Sequence, residues 1–109
     1  MDKIVLDKRD KIARLCKKYG VKRLDVVGDV TVGLSGRGSR DLDFLASFHD
    51  PDAPNRGGWN APQFKLAVDL EDLFEGELDR VVVGIEGEYK HPSVKPWIEK
   101  IREVVYADS

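Results

Sequence analysis

The fold is decided by the run Asp41-Leu42-Asp43-Phe44-Leu45-Ala46-Ser47-Phe48, which follows a glycine-bearing loop. Its length and its apolar content are typical of a β-strand. Because alternate residues of a strand point to the same face, we expect Asp41 and Asp43 to project side by side. Neighbouring carboxylates repel each other unless a cation lies between them, and Mg²⁺ binds through one or two carboxylates plus a substrate phosphate. The run therefore predicts a metal and phosphate site on a strand.

A third carboxylate is expected to complete this site. The stretch Leu78–Val83 is typical of another short strand, and Asp79 lies near its start. If the two strands are neighbours, Asp79 can face the same metal ions, and three carboxylates around two divalent ions suit in-line displacement at phosphorus. The alternative is that Asp41 and Asp43 are ordinary polar residues on a half-exposed strand, and that Asp79 is a surface acid beside Arg80.

The order of several short motifs resembles a known family. The run Leu24-Asp25-Val26-Val27-Gly28-Asp29, a loop that contains Gly33, and the run Ser39-Arg40-Asp41-Leu42-Asp43-Phe44-Leu45 are similar to the core of the minimal nucleotidyltransferases. These proteins belong to the polymerase-β-like nucleotidyltransferase superfamily, whose pattern is a strand ending in Gly-Ser, a loop and then Asp-x-Asp. The likeness continues through residues 70–79, and residues 91–107 are similar to the closing helix of the family. It covers nearly the whole chain.

This resemblance implies an α+β fold, with a small mixed β-sheet flanked by helices, in a single domain over residues 1–109. It implies a Mg²⁺-dependent nucleotidyltransferase that moves a nucleoside monophosphate from an NTP, with ATP favoured, to an acceptor hydroxyl by a two-metal mechanism. In the family the acceptor is often a HEPN-domain toxin, which is adenylylated and silenced, so the implied role is that of an antitoxin. The metal and catalytic residues implied are Asp41, Asp43 and Asp79, and the nucleotide-binding residues are Gly28, Asp29, Gly33, Ser39 and Arg40.

The chain departs from the family pattern around the expected phosphate contact. Asp29 stands where the family has Ser, and Thr31 and Val32 stand where it often has a small residue and Arg. Asp29 is also a suitable N-cap for a short helix after Gly28. A second hypothesis is therefore a catalytically weakened antitoxin that acts by binding a HEPN-type partner. A third is an α+β domain whose acids have no metal role.

Periodicity predicts the remaining elements. We expect a helix over residues 3–19, a strand over Val21–Val27 and a helix whose apolar stripe is Leu66, Leu70, Leu73 and Phe74. A final helix is predicted with one buried face, formed by Val94, Trp97, Ile98, Ile101, Val104 and Val105. Residues 49–62 are predicted to be a long, mobile loop. Trp59 is expected to pack this loop onto the body of the protein, with stacking on a base or anchoring of a partner as the alternatives.

Composition limits the classes of function. The 109 residues suit one domain, and a formal net charge of −2 does not favour direct nucleic-acid binding. The charge is uneven, because residues 1–25 carry nine Lys and Arg against four Asp and Glu, whereas residues 41–89 carry three against twelve. A single cysteine excludes an intrachain disulfide and suits a reducing cytoplasm. Residues 1–7 lack the apolar core that is typical of a signal peptide, and no run is apolar over a length that would cross a membrane. Because the domain is too small for a separate acceptor-binding module, we expect the acceptor to be another protein or to be held by a homo-oligomer.

Overall fold

The computed structural model describes residues 1–32, 40–88 and 92–108, with the side chains of residues 31 and 32 left aside. In this part of the chain, helices pack against a mixed four-stranded sheet, which is the α+β class expected. The helices are α1 (Lys3–Leu6), α2 (Arg9–Lys18), α3 (Pro62–Leu73) and α4 (Val94–Ile101). The strands are β1 (Val21–Val32), β2 (Arg40–Phe48), β3 (Arg80–Ile85) and β4 (Arg102–Ala107).

The order of the strands in the sheet is β3-β2-β1-β4. β1 pairs antiparallel with both β2 and β4, whereas β2 and β3 are parallel. Parallel neighbours need a crossover connection, and α3 supplies it between β2 and β3. Helix α3 and the strands on either side of it therefore form one β-α-β unit.

The main core lies between one face of the sheet and helices α2 and α3. Strand alternation places Leu42, Phe44, Ala46 and Phe48 of β2 on this face, and all four are buried. Helix α3 contributes the predicted residues Leu66 and Leu70, which are fully buried, and Leu73, which is partly buried; Phe74, the residue after the helix, is also fully buried. The side chains of residues 41, 43, 45 and 47 consequently point to the opposite face of the sheet. We call this opposite face the acid face, because it carries Asp41 and Asp43.

The prediction of a single closing helix is wrong for its second half. Helix α4 ends at Ile101, and residues 102–107 form strand β4 beside β1. The run Val104-Val105-Tyr106 combines β-branched and aromatic residues, which favour strands once a partner strand is available. Trp97 is 60% exposed, so its expected place in the core is also wrong, and Ile98 is the buried residue of α4.

Two other predictions need correction. The helix expected over residues 3–19 is interrupted at Asp7 and Lys8, so that α1 and α2 are separate. Trp59 does not pack the loop onto the body, because its side chain is 88% exposed and contacts the ring of Phe64 at a centroid distance of 5.4 Å. The loop itself contains two single 3-10 turns, Ala53–Asn55 and Gly58–Asn60.

None of the helices in the described ranges is long and apolar enough to cross a membrane.

Candidate functional site

The structure brings Asp41 and Asp43 together on the acid face near the start of β2. Asp43 is exposed overall, but partial burial of its carboxyl raises its pKa, and the nearby negative charge of Asp41 raises it further. Arg80 acts in the opposite direction and lowers the pKa of Asp43. A raised pKa means that the ionised form of Asp43 is disfavoured, and a bound cation would relieve this.

Arg80 is the neighbouring residue that sequence reasoning missed. In the parallel pairing of β2 with β3, Arg80 lies opposite Asp41 and Val82 lies opposite Asp43. Paired residues share a face of the sheet, so a guanidinium accompanies the two carboxylates. The sequence contained a signal for this residue, because Arg80 directly follows Asp79 in the strand that was expected to lie beside Asp41. When Arg80 lies opposite Asp41, Asp79 lies one residue earlier along that strand.

Asp79 is accordingly held by the start of β2. Its Oδ2 accepts a hydrogen bond of 2.8 Å from the backbone N–H of Arg40, and its own N–H donates to the Arg40 carbonyl at 2.8 Å. These two bonds lie at the start of the hydrogen-bonded pairing between β2 and β3. Over residues 1–32, 40–88 and 92–108, no three His, Cys, Asp or Glu side chains are grouped so that they could hold a metal ion. The three-carboxylate site therefore stays a prediction.

Arg40 is placed away from the acid face. It is exposed, and strand alternation points its side chain to the face opposite that of Asp41. In the structure Arg80, rather than Arg40, is thus the basic residue beside the carboxylate pair. Gly33 and Ser39, two further residues of the predicted nucleotide site, lie outside the described residues.

Gly28 and Asp29 lie in a β-bulge next to the carboxylates. Val27 pairs with Asp43 and Thr31 pairs with Asp41, so three residues of β1 oppose the single residue Leu42 of β2. Gly28 has a φ of +74°, a left-handed conformation that glycine adopts without strain. Ile101 at the end of α4 approaches this glycine, because a Cβ built on Gly28 would meet its Cδ1 at 3.8 Å.

The bulge changes the role expected of Asp29. Residues 29–32 continue β1, so the prediction that Asp29 caps a helix after Gly28 is wrong for these residues. Asp29 is exposed; the hydrogen bond to Glu103 is the main cause that raises the pKa of the Met1 amino group, and the charge of Asp29 adds to it. The N-terminus is held nearby, since Asp2 Oδ2 accepts a hydrogen bond of 2.7 Å from the Val30 N–H.

A buried charge network lies at the other end of the acid face, and it was not predicted from the sequence. Asp25 is fully buried and pairs with Leu45, two residues along β1 from the neighbour of Asp43. Arg23 donates to both of its carboxylate oxygens at 2.9 and 3.0 Å, and Nε of Arg102 donates to Oδ2. A charged residue in the middle of an apolar strand was the only signal in the sequence. The network leaves the Asp41–Asp43 end as the acidic part of this face.

Comparisons with protein-family models, with curated proteins and with solved structures find no match to this chain. The candidate site is therefore interpreted from its own geometry.

Proposed function

We propose that Asp41 and Asp43 bind a divalent metal ion together with the phosphates of a nucleoside triphosphate, and that the chain is a nucleotidyltransferase of the polymerase-β-like type. The observation that carries the proposal is the pair of adjacent carboxylates on the acid face, where partial burial and the charge of Asp41 both raise the pKa of Asp43. Mg²⁺ bound there would polarise the phosphate and offset the charge that develops during transfer. ATP is the nucleotide we favour, and the acceptor is a hydroxyl on a partner protein.

The residues as placed fit one magnesium ion. Mg²⁺ keeps several water ligands and binds through one or two carboxylates plus substrate phosphates, which Asp41 and Asp43 can provide. A second ion would require the Asp79 carboxylate, which instead accepts the hydrogen bond from the Arg40 N–H. We therefore propose a one-ion site, and the two-metal arrangement requires Asp79 to leave the β2–β3 ladder.

Arg80 is proposed to contact the phosphates. Its position opposite Asp41 places a positive charge on the face where a triphosphate would lie. The Gly28 bulge supports the same placement, because bulges recur beside active sites, where they redirect neighbouring groups. Arg80 then replaces the basic contact that Thr31 and Val32 cannot provide.

A second candidate function is a nucleotidyltransferase-like antitoxin that binds a HEPN-type partner without turnover. The observation that favours this function is that β1 continues through Val32, in the segment where the family pattern has its phosphate-binding contact. Asp29 adds a negative charge in the same segment. Under this hypothesis, Asp29→Ser should raise the affinity for Mg²⁺-ATP, and no change would show that Asp29 does not repel the phosphates.

The test is isothermal titration of the full chain with ATP, with and without Mg²⁺. We expect Mg²⁺-dependent binding that is lost in Asp41→Asn and in Asp43→Asn. Glu75→Gln is the matched control, because it removes one exposed carboxylate near the end of α3 and should leave the binding unchanged.

Binding and turnover are then separated by measuring pyrophosphate release in the presence of candidate acceptor proteins. Release that requires Asp41 supports the nucleotidyltransferase. Binding without release favours the second candidate, and the absence of binding at millimolar ATP rejects the proposed site.

A further inference from the structure

A groove runs between α2 and α3, on the side of the sheet opposite the acid face. Its first hollow, of about 470 Å³, is lined by Tyr19, Trp59, Phe64, Lys65, Ala67, Val68 and Asp69. The adjoining hollow, also of about 470 Å³, is lined by Lys11, Arg14, Leu15, Asp69, Asp72 and Leu73. Asp69 lines both hollows, so they adjoin, and we call the two together the aromatic groove.

The aromatic groove exposes large apolar side chains. Trp59 is 88% exposed, Val68 56% and Phe64 41%, and all three lie together at one end. Contiguous apolar patches on small proteins mark interaction sites, and tryptophan and tyrosine are enriched among the residues that dominate binding energy. From Phe64 to Leu73 the groove follows α3 for roughly 14 Å, which matches about two and a half turns of a helix.

The charges around the groove are predominantly basic. Asp69 is neutralised locally, because it accepts hydrogen bonds from the Tyr19 hydroxyl and from Lys18 Nζ at 3.5 Å. Lys11, Arg14 and Lys65 form no ion pair with another residue of the described part of the chain, and the remaining acid that lines the groove is Asp72. Lys65 thus lines the same hollow as the exposed Trp59, and Lys11 and Arg14 line the adjoining hollow.

We propose that the aromatic groove binds an amphipathic helix of a partner protein, one with an apolar stripe and acidic flanks. A groove between two helices takes such a helix through anchors at i, i+3, i+4 and i+7. Acidic flanks would complement Lys11, Arg14 and Lys65. A second copy of this chain is a poor match, because α4, which carries the other exposed tryptophan, has Lys95 and Lys100 on its surface. The proposal does not depend on the acid face, so the two sites can fail separately.

The test uses three synthetic helical peptides without tryptophan. They share one leucine stripe and differ only in whether their flanks carry glutamate, lysine or an alternation of the two. Trp97→Phe is the background, so that fluorescence reports on Trp59, and affinities come from titration of the full chain. We expect the glutamate peptide to shift the emission of Trp59 to the blue and to bind roughly tenfold more tightly than the lysine peptide, as three exposed charge pairs allow.

Two variants make the test specific. A second set of titrations is measured by calorimetry. In it, Trp59→Ala should weaken binding of the glutamate peptide by roughly 30-fold, because the substitution removes a central aromatic anchor. Trp97→Ala, which removes the other exposed tryptophan, should leave this binding unchanged. Replacing Lys11, Arg14 and Lys65 together by glutamate should reverse the preference between the glutamate and lysine peptides.

The other possible occupants are measured in parallel. The proposal is overturned if the three peptides bind equally or not at all. It is also overturned if an oligouridylate or an anionic lipid vesicle binds through Trp59 more tightly than the glutamate peptide does. Sedimentation measures whether the wild-type chain self-associates. If it does, and if Trp59→Ala abolishes the self-association, the occupant of the groove is a second copy of the chain and the proposal of a partner helix is overturned.

Discussion

Replacing Arg102 by Met should destabilise the fold by breaking the buried charge network. The Arg102 side chain is 8% exposed and donates four hydrogen bonds: one to Asp25, two to Glu86 at 2.8 and 2.5 Å, and one to Glu99 at 3.0 Å. Methionine preserves most of the apolar packing of the side chain and removes all four donors. The substitution therefore isolates the contribution of the charge.

The magnitude follows from the exposure of the three acceptors. Glu86 and Glu99 are 38% and 49% exposed, so each lost pair costs no more than about 1 kcal/mol. Asp25 is fully buried, and removing one partner of a buried pair costs about 3–5 kcal/mol. Because Arg23 remains bound to Asp25, we place the total at about 3 kcal/mol, a large share of the roughly 5–15 kcal/mol that stabilises a domain.

The assay is urea unfolding of the full chain at neutral pH, followed by far-UV circular dichroism. Arg56→Met is the matched control, because Arg56 is 65% exposed and pairs with Asp50 at the surface, so its loss should cost at most about 1 kcal/mol. The double variant Asp25→Asn/Arg102→Met should cost less than the sum of the single variants, since it removes the uncompensated buried charge.

The pH dependence gives an independent check. Hydrogen bonds from Arg102 lower the pKa of Glu86 below its ordinary value of 4.5. An acid with a lowered pKa stabilises the fold above its ordinary pKa, and this stability is lost as the pH falls through the lower, folded value. Arg102→Met should therefore flatten the loss of stability below pH 4.5. A free-energy loss no larger than that of Arg56→Met would refute the reasoning about the buried network.

Two further predictions concern the acid face and the core. The pKa of Asp43 is raised above its ordinary 3.8 by burial and by Asp41, so without metal the free energy of unfolding should fall as the pH rises from 3.8 through the folded pKa. Asp43→Asn should abolish this fall and be at least as stable as wild type at neutral pH by urea unfolding, with Glu75→Gln as control; a clear loss of stability would contradict the carboxylate pair. Burial raises the pKa of the Cys16 thiol to about 12, so Ellman's reagent should react with Cys16 only as fast as the chain unfolds, and rapid reaction of the native protein would show that the core is open.

Much of the core could be predicted from local patterns. The strand expected over Asp41–Phe48 begins one residue earlier, at Arg40, and the stripe that begins at Leu66 belongs to a helix, as expected. Both patterns depend only on residues a few positions apart, whose spacing decides which side chains face the core. The proximity of Asp41 and Asp43 follows from the same alternation.

The end of the chain shows where local patterns fail. The apolar residues from Val94 to Val105 fit a helical period, but only residues 94–101 are helical. Residues 102–107 instead gain backbone partners along β1, and such pairing is available only in the folded chain.

The sequence alone determined that helices would pack on a mixed sheet, because this follows from the order of the elements along the chain. It also determined that Asp41 and Asp43 would share a face, because alternate residues of a strand do so. Only the tertiary structure decided the surroundings of that pair. The parallel register sets Arg80 beside Asp41 and ties Asp79 to Arg40, and antiparallel pairing makes Gly28 part of a bulge. Register and bulges depend on contacts between residues distant in the chain, and a shift of one residue would turn every side chain of the strand to the other face.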